Sequence, residues 1–518
     1  MATVARIWTP IGPQAERSPT IAAPRAWSRL DWLALAAVTL GAAATRLPGL
    51  SRPIGFVFDE IFYAQNACLY VLDPARCGLE QLAERSHPPL GKLFIGVGIQ
   101  LFGYDEFGWR IMAALAGILS VALLFVLVRR LLAGHTTPIG ATAGAFVAAG
   151  LLTVDFLHLI HSRVGMLDVL LTLFVLATVY FAVLDVTRNR RRPPGRGPLE
   201  WIHKLCLGRP WRMLAGLSLG AATAVKWSGA YTILLVVPLL IVYEVAASRR
   251  DPAVPDAPPR PLREAWRIAV RRELVPSLIL LGLVPFIVYL ASYTGRVPGS
   301  PLALPWAEGS FWRDVFDQQV RMARFHHGIV RNHPYESPPW SWLLLKRPVA
   351  YYFRIDGGSY REILAIGNPL TWGSGAVVIA GLGVAWLRRG ASHVGPEAVI
   401  VGGALATYLP WLVLTGSRTF VFTWYLLPTI PFLCAAIGLL VARIWPSLTG
   451  RLVTAAAGVA VLVSFVFFFP VLTAMPLSPD AWRARIWFTD CARPDAPTLE
   501  LPNDVIDKGL PPVGWCWI

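Results

Sequence analysis

The chain has 518 residues, of which 55% are hydrophobic and 15% are charged, and its mean hydropathy is +0.53. A soluble domain has about a quarter of charged residues, so this composition excludes a soluble globular protein and indicates a polytopic membrane protein. The 47 basic and 31 acidic residues give a net charge of +16. In a membrane protein such an excess indicates basic cytoplasmic loops and anionic lipid, and we find no nucleic-acid motif and no zinc-type cysteine spacing.

The hydrophobic segments predict an all-α protein with about eleven transmembrane helices in residues 30–473. Eleven apolar runs approach the roughly 17–25 residues that a span requires. They are residues 30–47, 107–128, 139–160, 164–186, 213–225, 230–247, 274–293, 370–387, 398–414, 420–441 and 452–473. The short fifth run needs Trp211 and Trp227 at its two interfaces. Residues 1–29 are polar and lack a signal-peptide core, and we expect a disordered cytoplasmic tail.

The arginines predict the orientation. Arginine clusters follow the second, fourth, sixth and eighth spans, and Arg443 follows the tenth, which places the N-terminus in the cytoplasm and the C-terminus outside the cell membrane. An odd number of spans agrees with that topology. Residues 48–106, 294–369 and the tail 474–518 are then external, and we expect juxtamembrane helices in the external loops.

The first external segment carries Asp59, Glu60, His87 and Lys92. Charges beside a span are expensive unless they have a function or face water. One carboxylate is a candidate general base, or with His87 a ligand of Mg²⁺ or Mn²⁺; the alternative is that both solvate a loop. Neighbouring helical side chains point about 100° apart, so one can face a substrate while the other pairs with an arginine. Lys92 begins an amphipathic helix and suits a lipid-linked phosphate or a lipid headgroup.

Further polar residues occur in short turns at the same predicted depth. They are Arg110, Arg163, Asp168 and Lys226. Each could be an interfacial anchor, but together they provide what a phosphate at the bilayer surface needs. In the second external segment, His333, Glu336 and Trp340 form either an aromatic belt or a wall of a sugar or acceptor groove.

Four cysteines fall in predicted external segments. Cys68 and Cys77 share the first loop, and Cys491 and Cys516 share the tail. An oxidising exterior permits one bridge in each region, and free thiols are the alternative.

The order of these motifs resembles that of the protein O-mannosyltransferases, membrane glycosyltransferases of the GT-C class. Within this family the chain is most similar to the actinobacterial branch. The resemblance covers about residues 30–479. Its motifs are Asp59-Glu60, His87-Pro88-Pro89-Leu90-Gly91-Lys92, Gly108-Trp109-Arg110, Ser162-Arg163 with Asp168, Lys226-Trp227-Ser228-Gly229 and His333-Pro334-Tyr335-Glu336-Ser337 with Trp340 and Trp342. Eukaryotic members carry a β-trefoil domain after the seventh span, for which residues 294–369 leave no room.

The resemblance implies that mannose moves from a polyprenyl phosphate to Ser or Thr of an extended secreted polypeptide, with inversion. It implies that Asp59 is the general base and that Glu60 orients the acceptor or an arginine. Arg163, Lys92 and Arg110 would hold the phosphate, with His87 and Lys226 as second choices and Asp168 fixing Arg163. A phosphate leaves without protonation, so one carboxylate is sufficient. We expect no metal requirement, because the cationic residues can neutralise the phosphate, with Mg²⁺ or Mn²⁺ at Asp59, Glu60 and His87 as the alternative. Coupling to the secretion translocon is a further possibility.

Two alternatives remain. Another GT-C transferase, acting on a lipid or a wall polysaccharide, would share the acidic pair and the lipid-phosphate site. A transporter would bury charges at mid-span between inverted repeats, whereas here the charges gather at the ends of spans.

Overall fold

The computed structural model describes residues 26–72, 74–78, 86–188, 208–249, 258–293, 311–328, 335–388, 394–415 and 421–487. Thirteen helices precede a small sheet in the described residues. They are α1 (Arg29–Arg46), α2 (Glu60–Val71), α3 (Pro74–Cys77), α4 (Leu90–Phe102), α5 (Glu106–Leu132), α6 (Pro138–Thr153), α7 (Phe156–Arg163), α8 (Asp168–Arg188), α9 (Pro210–Val225), α10 (Ile233–Ser248), α11 (Leu262–Leu278), α12 (Val284–Ala291) and α13 (Phe311–Gly328). The remaining elements are β1 (Val349–Asp356), β2 (Ser359–Ala365), α14 (Pro369–Arg388), α15 (Pro396–Leu414), α16 (Ile430–Ile444), α17 (Leu448–Leu472) and α18 (Pro479–Arg483).

Most predicted spans correspond to long apolar helices, which confirms a multi-pass membrane protein. In the described part of the chain, eight helices can cross a membrane by length and composition, or nine if the bent pair α6 and α7 is one span. The first and fifth predicted spans coincide with α1, which contains three charged residues in eighteen, and with α9, which has sixteen residues. A helix therefore lies at every predicted position, while the count of eleven stays a prediction.

Two details differ from the sequence analysis. The protein is not purely α-helical, because β1 and β2 form an antiparallel hairpin inside the second predicted external segment. The arginine-rich run before the seventh span is also not a loop, because α11, a π turn at Ile279–Leu283 and α12 continue as one helix of 30 residues. Arginine has good helix propensity, so the polar run extends the apolar helix instead of ending it.

The bend between α6 and α7, which measures 58°, is stabilised by polar side chains. The carbonyls of Leu152 and Thr153 accept hydrogen bonds from the Arg46 guanidinium at 3.3 and 3.1 Å. Asp155 begins α7 by accepting a bond from the backbone N–H of His158 at 2.9 Å. Backbone groups that lose their intrahelical partners at a helix break need other hydrogen-bond partners where no water is present. The Arg46 and Asp155 side chains provide them and stabilise the bend.

Buried ion pairs join helices at the end of the bundle opposite this break. Arg129, in the last turn of α5, binds Asp31 near the start of α1, with Nε and Oδ1 2.5 Å apart. Arg212 contacts both Asp185 and Glu273, and Arg443 pairs with Glu397. Arg129 and Arg443, which the sequence analysis placed on one membrane side, therefore form buried ion pairs between helices.

The hairpin is fixed by the segment that follows α17. Tyr360 and Leu477 exchange two backbone hydrogen bonds, and the Trp482 indole donates to Oε2 of the buried Glu362 at 2.6 Å. Burial raises the pKa of the Glu362 carboxyl to about 8. The carboxyl is therefore neutral in the folded protein at pH values where it would be ionised in an unfolded chain.

This raised pKa predicts a pH-dependent stability. The folded protein holds the Glu362 proton between the ordinary pKa, near 4.5, and about 8, so stability falls as the pH rises through that window. From this group alone we expect the free energy of unfolding of the wild type to fall by about 3 kcal/mol between pH 5 and pH 8. Glu362→Gln, which keeps an acceptor for Trp482, should lack this fall. The measurement is the thermal midpoint in detergent. Glu264→Gln on the exposed side of α11 is the control, and equal pH profiles for Glu362→Gln and the wild type would refute the assignment.

Candidate active site

Glu60, the first residue of α2, is fully buried and accepts hydrogen bonds from four N–H groups. Oε1 accepts from Arg110 Nε at 2.8 Å and from the Gly165 amide at 2.7 Å. Oε2 accepts from Arg110 Nη2 and from the Val57 amide, both at 2.8 Å. A buried carboxylate needs such compensation. Glu60 thereby joins the loop before α2 to the start of α5 and to the turn between α7 and α8.

The two arginines expected at the phosphate are both occupied by backbone carbonyls. Arg110 uses its remaining N–H groups for the carbonyls of Leu50, Pro53 and Gly55, at 2.9 to 3.2 Å. Arg163, at the end of α7, donates to the carbonyls of residues 45, 46, 48 and 49 at the end of α1. A cation at a helix C-terminus interacts well with exposed carbonyls, and these bonds shape the loop that leads to Asp59.

Asp59 is half-buried and lies next to a set of polar side chains from the first segment. The Tyr63 hydroxyl, one helical turn later, donates to Asp59 Oδ2 at 3.2 Å. The Tyr63 ring lies 6.0 Å from the His87 ring. Lys92, only 1% exposed, donates from Nζ to the His87 carbonyl at 3.1 Å. The acidic residue and the Lys92 cation are therefore linked through Tyr63 and His87.

A second polar group is built from three separate turns. Lys226, directly after α9, binds both oxygens of Asp168, the first residue of α8, at 2.7 and 2.9 Å. His161 Nδ1 lies 3.9 Å from Asp168 Oδ2, and the Lys226 amine lies 5.8 Å from the centre of the Tyr425 ring. The prediction that Asp168 fixes Arg163 is wrong: the Arg163 side chain turns back towards α1, which leaves Lys226 as the cation facing Asp168.

Tyr351, on β1, connects the two groups. Its hydroxyl is hydrogen-bonded to His161 Nε2 at 2.9 Å. Burial, with the nearby carboxylates of Asp168 and Asp59, holds the pKa of the Tyr351 hydroxyl well above its usual range. Phe58, the residue before Asp59, stacks on the Tyr351 ring with centroids 4.3 Å apart, so the first loop and the later turns meet at this tyrosine.

The second predicted external segment carries the remaining candidates, of which His326 contacts the first segment. Trp340 is 60% exposed, with the Lys346 amine 5.6 Å above its ring, and Glu336 is half-buried. On α13, His326 is hydrogen-bonded through Nε2 to the Ser86 carbonyl at 2.8 Å, and its ring lies 5.5 Å from that of His87. His333 lies outside the described residues.

Cys68 and Cys77 form a disulfide that ties α2 to α3. Cys491 and Cys516 lie outside the described residues. No group of three His, Cys, Asp or Glu side chains suited to a metal ion occurs in the part of the chain that the structure describes. Each Glu60 oxygen already accepts two N–H hydrogen bonds. Glu60 is therefore not available as a ligand for the Mg²⁺ or Mn²⁺ ion considered above.

The sequence analysis missed Tyr63, Tyr351 and His326. Tyr63 follows Asp59 by four residues, and that helical spacing predicts a contact. His326 lies on the amphipathic helix α13, and an amphipathic pattern alone is a weak indication of a functional residue. Nothing in the sequence connects Tyr351 to His161, since 190 residues separate them.

Two family models match this chain. The model described as dolichyl-phosphate-mannose-protein mannosyltransferase covers residues 86–193, and the model of the C-terminal four-span region of protein-O-mannosyltransferase covers residues 311–491. Among solved structures, the S. cerevisiae protein O-mannosyltransferase Pmt1-Pmt2 complex bound to the sugar donor aligns with a TM-score of 0.65 at 15% identity, over 94% of each chain. The fold is that of the membrane-embedded GT-C glycosyltransferases.

Curated relatives narrow this class to one family. The polyprenol-phosphate-mannose–protein mannosyltransferase of Mycolicibacterium smegmatis is 31% identical over 88% of this chain and 92% of its own length. The Corynebacterium glutamicum enzyme of the same name is 26% identical over 89% and 94%. The chain belongs to the protein mannosyltransferase family and is a glycosyltransferase. The resemblance seen in the sequence is thereby confirmed.

The Glu60–Arg110 pair predicts strong energetic coupling. Removing one partner leaves a buried charge without compensation, which costs about 3–5 kcal/mol. We therefore expect a double-mutant cycle of Glu60→Ala and Arg110→Ala to give an interaction energy of about 2 kcal/mol or more in detergent unfolding. Glu60→Ala with Arg129→Ala, at the other end of α5, is the control and should be additive within about 0.5 kcal/mol. Additivity of the Glu60–Arg110 pair would contradict the assignment.

Proposed function

We propose that the protein transfers mannose from polyprenyl-phosphate-mannose to Ser or Thr hydroxyls of secreted polypeptides, with inversion and with Asp59 as general base. The observation that carries this proposal is the division of labour in the acidic pair. Glu60 is buried and saturated by N–H donors, whereas Asp59 is the more exposed member of the pair and is hydrogen-bonded to Tyr63, whose ring lies next to His87. Of the two, Asp59 is the one that can meet an acceptor hydroxyl.

The proposed reaction is a single displacement. Asp59 takes the proton of the Ser or Thr hydroxyl while that oxygen forms a bond to the anomeric carbon. The bond between this carbon and the phosphate oxygen breaks on the opposite face, and polyprenyl phosphate leaves with the electron pair. Positioned proton transfer of this kind contributes typically 10²- to 10⁴-fold.

The leaving phosphate needs cations, and we propose Lys92, His87 and Lys226 for this role. Lys92 is a buried ammonium group, and a charge there acts more strongly on a developing anion than it would in water. Lys226 is also buried, but the Asp168 carboxylate compensates its charge, so we rank it after Lys92. We assign Arg110 and Arg163 to a supporting role, because their N–H groups hold backbone carbonyls. Their charges still lie near the site.

For the acceptor we propose the second segment, with Glu336 and Trp340 as wall residues and His333 as a further candidate. The exposed Trp340 ring offers an apolar face for an extended peptide or a sugar. We further propose that this end of the bundle faces outwards, because the arginine clusters follow the spans at the opposite end.

A reconstituted assay tests the acceptor and the metal requirement together. Purified protein is supplied with polyprenyl-phosphate-mannose and a Thr-rich peptide, with and without EDTA, and the product anomer is determined by NMR. We expect α-linked mannosyl peptide from a β-linked donor, unaffected by EDTA. Transfer to a lipid or polysaccharide but not to the peptide would favour the other type of GT-C enzyme.

Asp59→Asn tests the proposed base. The amide keeps the size of the side chain but cannot accept the proton, so we expect transfer to fall by about 10²- to 10⁴-fold while binding of the lipid-linked donor is retained. Asp356→Asn, at the exposed tip of the hairpin, is the matched control and should keep the wild-type rate. An Asp59→Asn enzyme with wild-type turnover would refute the role of this carboxylate.

A further inference from the structure

The residue before Asp59 has an unusual backbone conformation. Phe58 has φ of +51°, which lies in the left-handed region that bulky residues seldom adopt. Such a conformation persists only where surrounding contacts impose it, and it occurs often at functional sites. The orientation of the Asp59 side chain therefore depends on the contacts that impose this backbone conformation on Phe58.

Two aromatic rings hold Phe58 from different sides. The Tyr351 ring stacks on it with centroids 4.3 Å apart and planes 6° from parallel. Trp424 meets it edge-on at 5.3 Å. Trp424 is itself buried and stacks on Phe422 at 4.2 Å. The Phe58 ring thus fits between the hairpin and the segment before α16.

The hairpin presents Tyr351 through an irregularity in its register. Ala350 pairs with Leu364 and Tyr352 pairs with Ile363, so Tyr351 is the extra residue on β1. Such a bulge redirects a side chain, and bulges are frequent next to active sites. Tyr351 is 4% exposed, and its hydroxyl is anchored on His161 at 2.9 Å.

We propose that Tyr351 is a positioning residue for Asp59: its ring, fixed by the bulge and by His161, holds Phe58 in the left-handed conformation that directs the proposed base into the site. This inference rests on the proposed role of Asp59. It gives the hairpin a part in the chemistry, since the hairpin sets the geometry of a loop almost 300 residues earlier.

The experiment compares three variants under steady-state conditions, with donor affinity measured separately. Tyr351→Leu removes the stacked ring, and we expect kcat to fall by at least tenfold while the Kd for polyprenyl-phosphate-mannose changes less than twofold. Tyr351→Phe keeps the ring and should stay within about threefold of the wild type. Tyr352→Leu, the next residue on the same strand, is the control and should leave kcat unchanged.

A double variant separates this role from general destabilisation. If Phe58 and Tyr351 act through one contact, Tyr351→Leu and Phe58→Leu combined should lower kcat no further than either change alone. Independent effects that multiply, a Tyr351→Phe loss equal to that of Tyr351→Leu, or a parallel loss of donor affinity would each overturn the proposal. Phe58→Leu and Tyr351→Phe still decide the matter if Tyr351→Leu does not fold. A normal rate for Tyr351→Leu with an inactive Asp59→Asn enzyme would refute the positioning role alone.

Discussion

The buried contact between Glu60 and Arg110 is the interaction on which the site depends. Four N–H groups from three parts of the chain converge on one carboxylate, and the arginine also binds three carbonyls of the first loop. A buried ion pair contributes little net stability over an apolar pair, but it is costly to break. The pair instead fixes the orientation of the start of α2. Because neighbouring side chains on a helix point in different directions, a buried Glu60 leaves Asp59 pointing away from this ion pair.

Two buried arginines near the break between α6 and α7 donate hydrogen bonds to backbone carbonyls at helix ends. Arg46, at the end of α1, binds carbonyls at the end of α6, and Arg163, at the end of α7, binds carbonyls at the end of α1. Arg46 on α1 therefore satisfies the end of α6, and Arg163 on α7 satisfies the end of α1. Without water, an open helix end would leave polar groups unpaired, so the short turns that carry the site residues depend on these bonds.

The sequence predicted those features that depend on local pattern. Apolar runs located the helices, and the acidic pair with its cationic neighbours defined the candidate site. The sequence could not tell which cations face a ligand, because Arg110 and Arg163 bind backbone carbonyls, and carbonyls have no sequence signature. Asp168 was assigned to the wrong cation for a related reason: the direction of the Arg163 side chain depends on the end of α1, more than 110 residues earlier.

The small sheet was missed because the sequence analysis predicted no structure for residues 349–365, which lie inside the second predicted external segment. Its position became clear only from long-range contacts such as Tyr351 with His161 and Tyr360 with Leu477. These contacts show how the C-terminal half of the chain completes a site whose acidic residues lie near the N-terminus. In this chain the hairpin and the segment before α16 thus contact the loop that carries Asp59.

We propose that a fixed Glu60 leaves Asp59 facing an acceptor, across from a cation-lined phosphate site. The most direct measurement is an experimental structure with a non-transferable polyprenyl-phosphate-mannose analogue and a Thr-containing peptide. We expect the threonine hydroxyl within about 2.6–3.2 Å of an Asp59 oxygen, and the phosphate against Lys92 on the other side of the sugar. A phosphate bound away from Lys92, or a threonine hydroxyl on Glu60 instead of Asp59, would contradict the account.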